Sequence, residues 1–198
     1  MSKKTVKSSS ELPLIIFLGP QGSGKGTQTR LLVEKYGFHL TEMGGMLRAE
    51  AKKKTGFGRM IKEKIEGGKL VPSWVAMQLL KNDVKKNIKK PIVVDGAPRQ
   101  YIEAIGHERN IKKLGRKITM IFFISLTNEE GMRRLLLRGR NDDTPEKIKV
   151  RLAWSRAKLG SIVKYFSRKY PVVEINGAQS VVKVHQSIIS ALKKNKVI

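Results

Sequence analysis

The sequence predicts an α/β domain, a five-stranded parallel sheet flanked by helices, on three observations. Short, continuously apolar runs recur along the chain, helical patterns separate them, and the first run ends in the segment Gly19-Pro20-Gln21-Gly22-Ser23-Gly24-Lys25-Gly26-Thr27. A strand covered on both faces is apolar on both, so it reads as a continuous run rather than an alternating one. Strands separated by helical stretches need crossover connections, which makes them parallel.

Residues 1–11 are polar and rich in Ser and Lys, with nothing to bury, and are expected to be a disordered tail before one domain spanning 12–198. The first strand is Leu14-Ile15-Ile16-Phe17-Leu18. Phe38-His39-Leu40 is a shorter strand candidate after the first helix. Pro91 to Asp95, Ile118 to Ile124 and Val172 to Ile175 repeat the buried-strand signature. Among the helices, Val181, Val184, Ile188 and Leu192 recur at spacings of three and four, one apolar stripe for a sheet face. Asp143-Thr144-Pro145-Glu146 supplies a capping side chain, a first-turn proline and an acid, so a helix is expected from there to about Arg168.

With 198 residues and 40% apolar content the chain builds one core and has no room for two ordinary domains. No run approaches the roughly 18 apolar residues of a membrane span, and the N-terminus lacks the apolar block of a secretory signal. Together with the absence of cysteine, this leads to the expectation of a cytoplasmic protein without membrane association. His39, His107 and His185 show no ligand spacing. Forty-one Lys and Arg against 16 Asp and Glu give a net charge of +25. Association with nucleic acid or another polyanion is one reading of that excess, and a solvated lysine-rich surface is the other. No basic strip studded with aromatics, as single strands need, is present.

The glycine-rich segment lies between a buried strand and a helix starting near Gly24, the context of a phosphate-binding loop. Glycines let successive backbone N–H groups turn inward around anionic oxygens, and the helix N-terminus adds a favourable dipole. Lys25 then reaches the β- and γ-phosphates. The fold implied is that of the P-loop NTPases.

A Ser or Thr usually follows the loop lysine directly, but here Gly26 takes that place and Thr27 comes next. This Gly-Lys-Gly-Thr order resembles adenylate kinases and their nucleoside monophosphate kinase relatives, and the resemblance runs from Leu14 to about Leu192. It implies transfer of a phosphoryl group from ATP to a nucleoside monophosphate, with AMP the first expectation. Gly22, Ser23, Gly24, Lys25, Gly26 and Thr27 would hold ATP, Thr27 at the α-phosphate. Mg2+ would be held by phosphate oxygens and waters organised by Asp95.

On the acceptor side, Gly44-Gly45-Met46-Leu47-Arg48 resembles the family's Thr-Gly-Asp-Met-Leu-Arg motif, so Met43, Gly44 and Arg48 inherit contacts to the monophosphate. Lys69, Leu70 and Val71 match a Gly-Lys-Leu-Val stretch that lines the acceptor base. Asp95-Gly96-Ala97-Pro98-Arg99 resembles Asp-Gly-Phe-Pro-Arg, in which the arginine bridges both substrates' phosphates. Glu103 aligns with the glutamine that reads adenine. Arg134, Arg138, Arg140 and Arg151 match arginines around the transferring group, and Gln179 matches a position whose backbone lies beside the ATP base. The catalytic set implied is Lys25, Arg99, Arg134, Arg138, Arg140 and Arg151. A planar guanidinium makes paired bonds to phosphate oxygens, which is why arginine recurs.

Met43, Gly45 and Glu103 depart from the family pattern, so an altered or relaxed choice of monophosphate is expected. An ionised carboxylate only accepts hydrogen bonds, which suits guanine or uracil better than adenine N1. Gln100, one turn before Glu103, is an alternative base contact. Gly139 alone separates Arg138 from Arg140, so a helical acceptor-binding insertion at about 43–72 is paired with a vestigial lid at about 138–143. Such a lid excludes water less completely, and hydrolysis of ATP is expected to compete with transfer. A monomer is expected. The alternatives are a UMP/CMP or GMP kinase of the same fold, or a nucleotide-gated nucleic-acid-binding protein with weak kinase activity.

Overall fold

The computed structural model describes residues 12–139 and 144–198. Among these residues, β1 (Leu14–Leu18), β2 (His39–Glu42), β3 (Ile92–Asp95), β4 (Met120–Ser125) and β5 (Val172–Asn176) form one sheet in the order β2-β3-β1-β4-β5, every pairing parallel. Each of the five apolar runs seen in the sequence overlaps a strand. The Phe38-His39-Leu40 run contributes the shortest fit, its strand beginning at His39 and ending at Glu42.

Burial explains why β1 reads as an unbroken apolar run: all five of its residues are at most 2% exposed. Leu14, Ile16 and Leu18 pack to one face and Ile15 and Phe17 to the other. Fully burying each such side chain stabilises the fold by about 1.5–3 kcal/mol. On the first face lie α4 (Ser73–Lys86), α5 (Tyr101–Lys113) and α7 (Pro145–Ser167), through Leu80, Ile111, Ile162 and Phe166. On the second lie α1 (Lys25–Tyr36) and α8 (Val181–Lys194), through Leu32, Val184, Ile188 and Leu192. Val181, the first residue of the predicted α8 stripe, is 52% exposed and lines a cleft instead of joining the core.

Several helix starts follow a capping side chain. Thr144 accepts from the Lys147 N–H with Pro145 in the first turn of α7, and Ser180 accepts from the Lys183 N–H at α8. Thr127 caps α6 (Asn128–Arg138) in the same way. Between β2 and α4 the chain forms α2 (Met43–Ala51) and α3 (Gly56–Glu66), which pack on each other. The buried Glu108 carboxylate ties α5 to α7, accepting from the Tyr165 and Tyr170 hydroxyls and from the Lys112 and Lys169 ammonium groups.

β1 and β3 are neighbours, but the crossover after β3 carries the chain past β1 to β4 on the other side. The loops after these strands therefore diverge and leave a crevice at the carboxyl ends, where ligands bind in open α/β sheets.

Candidate active site

The glycine-rich loop leaves the carboxyl end of β1 at that crevice. Gly22 has φ +82, and a Cβ there would lie 2.9 Å from the Gly131 carbonyl oxygen of α6, so only glycine fits the turn against this helix. At the start of α1 no side chain caps the helix and no acid lies in its first turn. That leaves its first N–H groups and dipole to an anion. Lys25 Nζ donates to the carbonyls of Gly19 (2.8 Å) and Pro20 (2.7 Å) and to Ser23 Oγ at 3.3 Å, which holds the amine over the loop. Burial, offset in part by Asp95 and reinforced by Arg99 and Arg138, brings its pKa down to about 8. Ser23 is buried under the loop, while Gly22, Gly24, Lys25, Gly26 and Thr27 line the cleft.

Asp95 ends β3 opposite Lys25. Burial raises its pKa, Lys25 counters this, and Glu42 adds to it. A Cβ on Gly26 would be 3.2 Å from Asp95 Oδ2, so the unusual glycine after the loop lysine leaves this carboxylate its room. Among the described residues there is no cluster of three or more His, Cys, Asp or Glu able to hold a metal by itself. One carboxylate beside a phosphate cradle fits Mg2+, which keeps several waters and takes its other ligands from substrate phosphates.

The acceptor side forms where α2 and α4 meet the end of β3. Met43, Leu47, Val71 and Ala76, each at most 7% exposed, line the same cleft of about 650 Å³ as the loop. Lys69, Leu70, Gly44, Gly96, Ala97 and Pro98 line it as well. Arg48 is paired with Glu42 at 3.0 Å, and Arg99 Nε donates to the Gly96 carbonyl at 2.9 Å. Glu103 is 3% exposed; its Oε2 accepts the Arg99 N–H at 2.7 Å and its Oε1 accepts from Gln100 Nε2 at 3.4 Å. Burial raises the Glu103 pKa against those hydrogen bonds and the nearby Arg99 charge. Gln100 does not reach the base pocket as the alternative reading expected. It precedes α5, and its amide is spent on Ser73 Oγ at 3.0 Å and on Glu103.

The arginines converge from the opposite wall. Arg134, Arg138, Arg151 and Gln179 line the cleft, and Arg134 is fixed by Glu130 (2.6 Å) and by the Gly177 carbonyl (2.9 Å). Arg140, Asp142 and Asp143 fall outside the described residues. Two cleft residues had no motif to reveal them. Arg30 lies one turn into α1 and is felt by Asp95; Glu42 orients Arg48 from six positions away, across a strand-to-helix junction that no spacing rule covers.

A phosphate cradle and an arginine-lined apolar pocket opening into one cleft define a P-loop phosphotransferase that works between two phosphate-bearing substrates. A family model described as adenylate kinase matches residues 17–170. The adenylate kinase of Azobacteroides pseudotrichonymphae is 35% identical over 181 residues, covering 89% of this chain and 95% of that one. That of Prochlorococcus marinus is 33% identical over 178 residues (90% and 96%), and the uridylate kinase of Saccharomyces cerevisiae is 32% identical over 194 residues (94% and 93%). The chain belongs to the adenylate kinase family and is a nucleoside monophosphate kinase.

Proposed function

We propose that this enzyme transfers the γ-phosphoryl group of ATP to AMP, giving two ADP. The observation that carries the reading is Glu103, 3% exposed in a cleft that Met43, Leu47, Val71 and Ala76 also line and that holds Arg48 and Arg99. A neutral carboxyl offers one acceptor and one O–H donor, the pattern that the adenine amino group and N1 require, and burial favours that neutral form. A coupled assay with AMP, GMP, CMP and UMP at matched concentrations tests it, with AMP expected to give the highest kcat/KM. A guanine or uracil acceptor is the second reading, favoured if Glu103 ionises, since ring N–H groups would then face two accepting oxygens.

Phosphoryl transfer needs little acid–base work; its transition state spreads charge over the phosphoryl oxygens and is stabilised by positioned cations. The loop N–H groups and Lys25 hold the donor phosphates, and Thr27 contacts the α-phosphate. Arg48 and Arg99 hold the acceptor phosphate. Arg134, Arg138 and Arg151 surround the group in transit, with Arg134 set in place by Glu130 and Gly177, and the family resemblance adds Arg140 to this set. Asp95 would hold, through water, the Mg2+ carried with ATP, an ion that would supply neutralisation of phosphate charge. In this reading residues 43–72 form the acceptor-binding insertion and 138–143 a minimal lid. All of these groups come from one chain, which supports action as a monomer, and the reaction suits the cytoplasm. Among the described residues no helix is long and apolar enough to cross a membrane.

A further inference from the structure

The +25 charge is not spent on the active site, and the topology determines where much of it goes. In a parallel sheet every returning helix ends at the edge opposite the strands' carboxyl ends, so the last turns of α1, α4, α5, α7 and α8 share one face with the turns that lead into the strands. Those last turns carry exposed Lys85 and Lys86 on α4, Lys113 on α5, and Lys193 and Lys194 on α8. One basic residue per helix end is what the macrodipole favours. The turns add lysines that no helix accounts for: Lys89 and Lys90 before β3, Lys117 before β4 and Lys196 after α8, all exposed.

Acids do not balance them. Glu108 is buried and already holds Lys112 and Lys169, and Asp83 is half-buried against Thr41 and His39. Glu34, near the end of α1, is the one exposed acid among the described residues of these last turns and the connections that follow them. The platform is also fixed. Arg116, 1% exposed, donates to the carbonyls of Ile88 (2.7 Å), Lys90 (3.1 Å) and Leu12 (2.9 Å), which pins the turn bearing Lys89 and Lys90 to the start of the first strand.

We propose that this face, on the opposite side of the molecule from the cleft, binds the phosphate backbone of double-stranded nucleic acid without reading sequence. Five strands about 4.8 Å apart make the sheet edge about 20 Å wide, and a duplex carries roughly a dozen charges over that length. Lysines meeting phosphates as point charges fit backbone binding. Single strands would want stacking aromatics, and the one aromatic at these helix ends that is exposed is Tyr36, at 37%. Membrane surfaces favour an amphipathic helix lying flat, whereas here the helices meet the face end-on.

The test is fluorescence anisotropy of the full chain with a labelled 24-base-pair DNA duplex from 50 to 200 mM KCl. With about six phosphates contacted, affinity falls roughly 10³-fold over that range. The quadruple reversal Lys85→Glu, Lys89→Glu, Lys113→Glu, Lys117→Glu weakens binding at 100 mM KCl by about 100-fold or more. An equal reversal on α3 and the turn before it (Lys52→Glu, Lys54→Glu, Arg59→Glu, Lys62→Glu) weakens it only several-fold. Kinase turnover by the first variant reports that it is folded; if turnover is lost, the double reversal Lys85→Glu, Lys113→Glu replaces it, with about a tenfold loss expected. Equal loss in both quadruple variants overturns the proposal. So does tighter binding to a single-stranded oligonucleotide, binding to phosphatidylserine vesicles without binding to the duplex, or no duplex binding at 50 mM KCl.

Discussion

Gly26 and Asp95 face each other so closely that a single Cβ on the glycine would stand 3.2 Å from the carboxylate oxygen Oδ2. The helix that begins at the phosphate loop and the strand that ends at Asp95 are thus fitted together at a residue without a side chain. Gly26→Ala is expected to displace Asp95 and lower kcat, with little change in the fold because Gly26 is helical. Asp95→Asn keeps the size but removes the charge that would order waters of Mg2+ in the proposed reaction, and a loss of about 10- to 100-fold in kcat is expected, as for other outer-sphere metal partners. Steady-state kinetics at saturating ATP and varied Mg2+ read both; an unchanged kcat in Asp95→Asn would remove Asp95 from the metal's surroundings.

Lys25, with its pKa near 8, makes ATP binding proton-linked. ATP phosphates raise that pKa in the complex, so above pH 8 the free enzyme holds fewer protons than the bound one and binding weakens as pH rises. At pH 8.5, calorimetry in buffers of different ionisation enthalpy is expected to show uptake of roughly 0.7 proton per ATP. The Lys25→Met variant shows none of this component and binds ATP poorly.

For Glu103 the sign is opposite in origin. Burial raises its pKa, so the neutral carboxyl that suits adenine is lost as pH increases. KM for AMP therefore rises with pH in the parent more steeply than in Glu103→Gln, whose amide keeps a donor and an acceptor at every pH and can still accept the Arg99 N–H. The KM for AMP of the parent is expected to climb above that of the variant as pH rises, with kcat little changed. A variant that prefers GMP or UMP less and AMP no more would favour the second acceptor reading.

Glu108 predicts the acid limb of stability. Burial alone would raise its pKa, but Lys112, Tyr165, Lys169 and Tyr170 together hold it at about 2. A carboxylate depressed in the folded state contributes stability above its unfolded value near 4.3, and that contribution fades as pH falls toward 2. It amounts to about 3 kcal/mol when fully present. Thermal melts of Glu108→Gln should be lower than the parent's at pH 7 and converge with it near pH 2.

What could be read from the chain and what could not divides along physical lines. Buried strands and the phosphate loop announce themselves because each residue there answers to a local demand, apolarity on two faces or room for a backbone turn. The short β2 was readable only as Phe38-His39-Leu40, since three of its four residues are polar, two of them pairing with α4 through Asp83. Gln100 and Glu103, one helical turn apart, looked interchangeable. Only the position of Ser73 on α4 shows that Gln100 turns away from the pocket. The Glu42–Arg48 pair depends on how a strand meets a helix, and the lysine face on where five helices end. Neither is a property of any sequence window.

The central claim is transfer from ATP to AMP within one cleft, and phosphorus NMR of ATP, AMP and Mg2+ with the enzyme tests it most directly. ADP signals are expected to grow at the joint expense of ATP and AMP, with inorganic phosphate a minor product. Unchanged AMP while ATP is converted to ADP and inorganic phosphate, or no change in either nucleotide, would contradict it.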